Sequence, residues 1–230
     1  MKTPLLLAVA LTATAASAGP TVEGSIGKTS FSRAEFGATL SGPLLRDDWD
    51  TNALAVELGG SYPVNAWLDG YGGLSVLGTD QFERTDVITV FSDGKLQQHH
   101  LESNSRQIGV SVGLDLHTPQ TDAGFSVGAR AGYSLWQQRL NQIKTLTVNE
   151  VTSDTTALGT SVETSSTQLI STPVLGVYAE YQYDNHNSVR LFVNQSSFDF
   201  DDKDLYPLAD QGARLEQDMR TVGLMFRHRY

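Results

Sequence analysis

The chain has 230 residues, a formal net charge of −10 and no cysteine. The acidic balance argues against binding to nucleic-acid phosphates, and the lack of cysteine excludes disulfides within the chain. A length of this order predicts a single domain.

The first 18 residues have the features of a secretory signal peptide. Lys2 precedes an uncharged stretch from Pro4 to Ala18, which closes on the small residues Ala16, Ser17 and Ala18. The apolar part is about half of the ~20 residues that a membrane helix needs. We therefore expect a signal peptide at 1–18 and one exported domain at 19–230.

Apolar and polar residues alternate with a period of two in the segments that follow. In the clearest segment the apolar positions are Ile108, Val110, Val112, Leu114 and Leu116, with Gly109, Ser111, Gly113, Asp115 and His117 between them. Such alternation is typical of a strand with lipid on one face and a polar lumen on the other. Eight segments follow this pattern, near 22–31, 54–62, 67–77, 107–117, 124–136, 175–183, 189–194 and 221–230. The sequence predicts an all-β fold, an eight-stranded antiparallel transmembrane β-barrel.

The connections between these segments alternate in length. Short links lie at 63–65, 118–122 and 184–187, and long ones at 32–50, 79–105, 137–168 and 199–218. Short periplasmic turns and long extracellular loops are typical of outer-membrane barrels. An Asp-Gly turn signal at 93–94 and Thr- and Val-rich stretches at 142–152 and 161–172 predict hairpins that protrude from the membrane. The alternative is a disordered Ser/Thr-rich loop across 145–167.

The last strand carries a recognisable C-terminal pattern, Thr221-x-Gly223-x-x-Phe226-x-His228 with Tyr230 at the end. With the eight segments and the signal peptide, it resembles the small eight-stranded outer-membrane barrels typified by the OmpA transmembrane domain and the OmpX/Ail group. The resemblance implies a monomer in a Gram-negative outer membrane, in contact with membrane lipid and lipopolysaccharide. It also implies recognition by the outer-membrane assembly machinery through Gly223, Phe226, His228 and Tyr230. His228 departs from the apolar residue usual at its position.

Charged residues occupy the inward positions of several predicted strands. An eight-stranded barrel is just wide enough for side chains to fill it, and an unpaired buried charge is costly. We therefore expect a filled, salt-bridged lumen made by Glu57, Asp69, Asp115, Arg130, Glu180, Arg190 and Arg227. The alternative is a narrow conducting path along the same charges, as in a small OmpW-like channel.

The remaining candidate sites are weaker. His186 and Ser188 resemble the pair used by outer-membrane lipid A deacylases, but they fall in a predicted periplasmic turn. We therefore expect that the protein is not an enzyme. A lipid A-modifying enzyme is the less favoured alternative. The histidines at 99 and 100 project to opposite sides of an extended segment, and the acidic segment 199–204 lacks a calcium-loop pattern, so we expect neither a metal nor a cofactor.

Aromatic residues near the strand ends predict two membrane-edge girdles. The periplasmic girdle comprises Tyr62, Trp67, Tyr181, Tyr183 and Tyr230, and Tyr133 and Trp136 contribute to the outer one. Taken together, the sequence predicts a barrel that acts through its extracellular loops in adhesion, surface contact or envelope integrity, with a surface ligand bound by those loops.

Overall fold

The structure is a computed structural model that describes residues 19–36, 46–90, 95–150, 156–200 and 214–230. The predicted signal peptide at 1–18 and most of the acidic segment at 199–204 lie outside these residues. None of the described residues form a helix that is long and apolar enough to cross a membrane.

Eight antiparallel strands close into one barrel, in which each strand pairs with its neighbours in the chain and β1 pairs with β8. The predicted fold class is therefore confirmed. The strands are β1 (Thr21–Phe36), β2 (Arg46–Asn65), β3 (Leu68–Val90), β4 (Lys95–His117), β5 (Phe125–Glu150), β6 (Thr156–Gln182), β7 (Asn187–Phe200) and β8 (Arg214–Arg229).

The strands extend well into the regions that the sequence predicts as loops. β3 pairs with β4 as far as Val90 opposite Leu96, and β5 pairs with β6 as far as Asn149 opposite Thr156. Long paired hairpins are therefore present at both places, and the described residues at 145–150 and 156–167 are strands rather than a disordered loop. Apolar residues in these stretches do not alternate as regularly as in the barrel segments, so hydrophobic periodicity alone does not reveal them as strands.

The outer surface of the barrel is apolar, as the alternation predicts. Val112 and Leu116 of β4, for example, are 64% and 58% exposed, whereas Asp115 between them is fully buried. One predicted girdle residue is misplaced: Tyr133 lies on the outside, but Trp136 faces the lumen and is buried. The two positions have opposite parity on β5, so they cannot share a face.

The barrel has two distinct ends. The turn end carries the three short connections and both ends of the described chain, and the hairpin end carries the long strand extensions. The β6–β7 turn is held by Asp184, whose carboxylate accepts hydrogen bonds from the backbone amides of His186 and Asn187 at 2.8 and 2.7 Å. Hydrogen bonds from the Asn187 side chain and from these amides lower the pKa of the Asp184 carboxyl.

The wall of the barrel is interrupted by two seams at the hairpin end. Among the described residues, β2 pairs with β3 only between Ala55 and Asn65, and β6 pairs with β7 only between Leu175 and Gln182. Beyond these points the strands form two separate four-stranded sheets. One comprises β3, β4, β5 and β6, and the other comprises β7, β8, β1 and β2.

Candidate functional site in the barrel lumen

Charged side chains from all eight strands meet inside the barrel near the turn end. The period-2 geometry of each strand directs alternate residues inward, and the sequence places an ionisable residue at several of these inward positions. We call this group the lumen charge cluster, and it comprises Glu23, Glu57, Asp69, Asp115, Arg130, Glu180, Arg190 and Arg227.

Arg227 of β8 joins three acidic residues of the cluster. Its Nε donates to Glu23 Oε1 at 2.8 Å, and its Nη1 donates to the two carboxylate oxygens of Glu180 at 2.9 and 2.7 Å. Nη2 donates to Ser61 Oγ at 2.8 Å and to Asp69 Oδ2 at 3.3 Å. The guanidinium therefore links β8 with β1, β2, β3 and β6 across the lumen.

Asp115 of β4 lies between the other two arginines. Arg130 binds it with two parallel hydrogen bonds, from Nε to Oδ1 at 2.8 Å and from Nη2 to Oδ2 at 2.9 Å. Arg190 donates to the same carboxylate from Nη1 at 2.6 Å and binds Glu180 from Nε and Nη2 at 3.0 and 2.9 Å. Such charge-assisted bonds are the strong ones in a buried site. All seven residues predicted from the sequence thus belong to one connected group.

Glu23 is the member that sequence reasoning missed. It accepts hydrogen bonds from Arg227 and from Ser61 Oγ, and its Oε2 lies 3.6 Å from Arg130 Nη2. The signal was present, because Glu23 shares the parity of Thr21 and Ser25, which are also buried. With Glu23 included, the cluster holds five carboxylates against three guanidinium groups.

Glu57 is the least paired carboxylate of the cluster. Its closest basic contact is a 3.7 Å approach of Oε1 to Arg130 Nη1, and its side chain keeps 16% exposure. It also lines a small cavity of about 50 Å³ with Tyr71, Arg130, Trp136 and other lumen residues. A cavity of this size has room for only a few water molecules.

Two tyrosines cover the arginines of the cluster. The guanidinium carbon of Arg130 lies 3.8 Å from the centre of the Tyr71 ring, and that of Arg190 lies 3.6 Å from the centre of the Tyr178 ring. Planar guanidinium groups stack favourably on aromatic faces, which adds to the ion pairing. The cluster is therefore held by rings as well as by carboxylates.

A second buried network, which the sequence did not predict, lies nearer the hairpin end. Arg33 of β1 forms an ion pair with Asp80 of β3, and Asp80 also accepts hydrogen bonds from Thr51 and Ser105. Arg33 donates in addition to Thr51 Oγ1 at 3.0 Å and to Gln217 Oε1 at 2.6 Å. Apolar side chains, among them Phe31, Leu77, Trp136, Leu140, Ile170, Phe198 and Met219, fill the lumen around this network. The described lumen is thus occupied by side chains at both levels.

The residues of the predicted hydrolase pair do not meet. Ser188 Oγ lies inside the lumen and donates to Glu180 at 2.6 Å, whereas the Nδ1 of His186 lies 3.0 Å from the Arg229 carbonyl oxygen in the exposed turn. A nucleophile and its base must lie within hydrogen-bonding reach of each other. His186 and Ser188 therefore form no catalytic pair in this structure.

The residues of the predicted assembly signal lie on both faces of β8. Phe226 and Tyr230 are exposed on the outside, and His228 lies next to Tyr230 with its Nδ1 2.8 Å from Asn187 Oδ1. Gly223 packs against Gly27 of β1, and a side chain there would overlap the Phe192 ring of β7. Their recognition by the assembly machinery stays a prediction.

The protein is a closed barrel of eight antiparallel strands. Its outer surface is apolar, and side chains fill its described lumen. The fold is that of the small eight-stranded outer-membrane barrels. At the turn end each strand pairs with both of its neighbours, which is what a protein segment surrounded by lipid requires.

No family model and no curated protein sequence matches the chain. The solved structures to which this barrel is similar include the attachment invasion locus protein Ail of Yersinia pestis, at 9% identity and a TM-score of 0.38, covering 91% of this chain and 98% of that one. The barrel is also similar to the outer membrane protein OprG of Pseudomonas aeruginosa, at 9% identity and a TM-score of 0.45, covering 93% of this chain and 96% of that one.

The outer membrane protease OmpT of Escherichia coli is also similar, at 8% identity and a TM-score of 0.41, covering 92% of this chain and 97% of that one. This finding corrects the expectation that the chain is not an enzyme. Outer-membrane barrels include a protease, so the barrel fold does not exclude catalysis.

Proposed function

We propose that this small outer-membrane barrel is closed by the lumen charge cluster and acts at the cell surface through its hairpin end. The observation that carries the proposal is the length of the outer strands. Crossing a bilayer takes about 9–11 residues of a tilted strand, whereas β5 and β6 stay paired from Phe125 opposite Tyr181 to Asn149 opposite Thr156. More than half of each strand is therefore available beyond the lipid.

The seams leave two strand edges of the protruding sheet without a strand partner among the described residues. These edges are the stretch of β3 from Glu83 to Val90 and the stretch of β6 from Thr156 to Ser171. An extended segment of another molecule can add to such an edge through main-chain hydrogen bonds. This is the physical basis for a surface ligand, and it supports adhesion or surface contact over a purely structural role.

Two arginines at the border of the apolar surface nearest the hairpin end support contact with lipopolysaccharide. Arg106 of β4 lies directly opposite Arg139 of β5, and both are exposed on the outer face just beyond Ile108 and Leu135. Two like charges facing each other on neighbouring strands repel unless anions lie between them. Phosphate groups of outer-leaflet lipid have the charge and the hydrogen-bonding geometry to fill that role.

The orientation can be tested by labelling, because the chain has no cysteine of its own. Ser165→Cys at the hairpin end should react with a membrane-impermeant maleimide on intact cells, and Asp122→Cys in the β4–β5 turn should react only after the outer membrane is permeabilised. The reverse labelling pattern would exclude the proposed orientation.

The role of the protruding sheet can be tested by shortening it. Asn141 and Ser165 are paired across β5 and β6, so a two-residue turn between them removes the outer hairpin and keeps the barrel. We expect cells producing the shortened chain to lose attachment to a protein-coated surface and to keep wild-type sensitivity to detergent. Unchanged attachment with raised detergent sensitivity would instead point to envelope integrity.

The closed lumen separates this proposal from a small OmpW-like channel. We expect the purified chain to give no discrete conductance steps in planar lipid bilayers, because side chains occupy the lumen at two levels. Reproducible single-channel steps from the folded protein would contradict a closed barrel and favour the channel.

A further inference from the structure

A group of possible metal ligands lies on the β3–β4 hairpin, far from the lumen charge cluster. Glu83 of β3 lies directly opposite Glu102 of β4, and Thr85 lies directly opposite His100. The two glutamates are exposed, and their carboxylates face each other on neighbouring strands. Like charges in such positions destabilise a strand pair unless a cation is shared between them.

The distances within this group suit a small metal ion. His100 Nε2 lies 3.0 Å from Glu102 Oε1 and 3.8 Å from Glu83 Oε1, and the three possible ligand atoms lie within 4.8 Å of one another. Zinc binds nitrogen and oxygen at about 2.0–2.2 Å, so neighbouring ligands of a tetrahedral site are about 3.4 Å apart. The two measured separations fall on either side of that value, and small rotations of the glutamate side chains would complete the site.

Thr85 holds the imidazole in the orientation that metal binding requires. The Nδ1 of His100 lies 2.7 Å from Thr85 Oγ1, and the ring is half-buried between its neighbours. A metal takes the lone pair of Nε2, so the single proton of the neutral ring must reside on Nδ1, where it can be donated to the Thr85 hydroxyl oxygen. Partners of this kind fix the ring and strengthen metal binding.

We propose that Glu83, His100 and Glu102 bind a divalent first-row transition metal such as zinc, with water completing the coordination. Imidazole and carboxylate ligands suit this class of ion. The expectation of no metal, drawn from the opposite orientations of neighbouring histidines at 99 and 100, overlooked ligands supplied by the adjacent strand. A bound ion would neutralise the facing glutamates and tie the exposed edge strand β3 to β4.

The proposal can be tested by titrating zinc chloride into the untagged, refolded protein in detergent and measuring the heat of binding. We expect one zinc ion per chain, and we expect His100→Gln to weaken binding at least tenfold. Glu83→Gln and Glu102→Gln should each weaken it by a similar factor. Folding of each variant is checked independently by the shift in electrophoretic mobility of the unboiled barrel.

Two controls make the assignment specific. His99→Gln changes the adjacent histidine and His186→Gln changes one at the turn end, so both should bind zinc as the wild type does. Thr85→Val should weaken zinc binding by about 10–100-fold, as loss of such a partner usually does, and Thr85→Ser should restore it. Binding that is absent in the wild type, unchanged in His100→Gln, or equally weakened in His99→Gln would overturn the proposal.

Discussion

Asp115 is the residue on which the lumen charge cluster most depends. Its carboxylate is fully buried and receives hydrogen bonds from both Arg130 and Arg190. Each of these buried guanidinium groups needs a counter-charge to offset the cost of its own burial. Glu57 differs from Asp115 in both burial and pairing, because it is partly exposed and its only close basic contact is Arg130, at 3.7 Å.

Replacement of Asp115 by Asn should therefore destabilise the barrel far more than replacement of Glu57 by Gln. Removing one partner from a buried ion pair typically costs about 3–5 kcal/mol, and we expect a loss of this order for Asp115→Asn. Glu57→Gln removes one of five carboxylates that face three guanidinium groups, so it should leave the stability unchanged or raise it. The measurement is urea unfolding in lipid vesicles. Equal losses for the two variants would show that the pairing seen here does not govern stability.

Most of the lumen charge cluster, but not its internal pairing, can be predicted from the sequence. Seven members of the cluster follow from alternation alone, because a strand fixes the face of each side chain through its parity. Glu23 was missed because Gly24 and Lys28 interrupt the outward apolar positions of β1, which weakens the periodic signal around it. The pairings among these charges depend on the closure of the barrel, which brings together residues up to 204 positions apart.

At the scale of single strands, glycines of β4 and β5 make room for the rings that cover the arginines. A Cβ atom at Gly132 would overlap both the Tyr71 hydroxyl and the backbone carbonyl oxygen of Val112, and one at Gly128 would overlap the Tyr178 ring. Both rings therefore occupy space beside β5 that a larger side chain at Gly128 or Gly132 would fill. Without these glycines Tyr71 and Tyr178 could not keep their stacking positions over Arg130 and Arg190.

We expect Gly132→Ala to lower the free energy of unfolding by about 1–3 kcal/mol, the usual cost of overpacking a buried site. The clash involves backbone as well as side chain, so rotation of Tyr71 alone cannot relieve it. Gly72→Ala on β3 is the matched control, since the nearest atom to its added Cβ would be the Ser111 carbonyl oxygen at 3.6 Å. Comparable unfolding curves for the two variants would contradict a packing role for Gly132.

Strand β3 shows what alternation cannot predict. Leu77 and Asp80 are both buried although three positions separate them, and the register with β4 shifts between them. This irregularity reverses the parity of the residues that follow it, as far as the second register shift between Val87 and Thr89. Asp80 therefore faces the lumen where an uninterrupted pattern would place it outside. Its partner Arg33 lies in a region that we expected to be a loop, and the buried network between them was therefore missed.

At the scale of the whole molecule, the hairpin end consists of two four-stranded sheets joined by side chains in place of backbone pairing. Asp80 of β3 binds Arg33 of β1 and Thr51 of β2, so this network crosses the β2–β3 seam. At the other seam the hydroxyl of Thr172 donates to the Ser197 carbonyl oxygen at 2.7 Å. The turn end closes through its main chain, whereas at the hairpin end polar networks and packed apolar lumen side chains connect the two sheets.

This division predicts that the two seams can be loosened independently. Asp80→Asn leaves the buried Arg33 without its counter-charge, so the β2–β3 seam should open more often while the turn end stays closed. We expect amide hydrogen exchange to accelerate at least tenfold in residues 46–54 and 78–90, which corresponds to about 1.4 kcal/mol in local opening free energy. Thr172→Val is the matched control, and it should accelerate exchange only near the β6–β7 seam. Faster exchange throughout the barrel in Asp80→Asn would show instead that the Arg33–Asp80 pair stabilises the whole fold, because local opening and global unfolding would then be the same event.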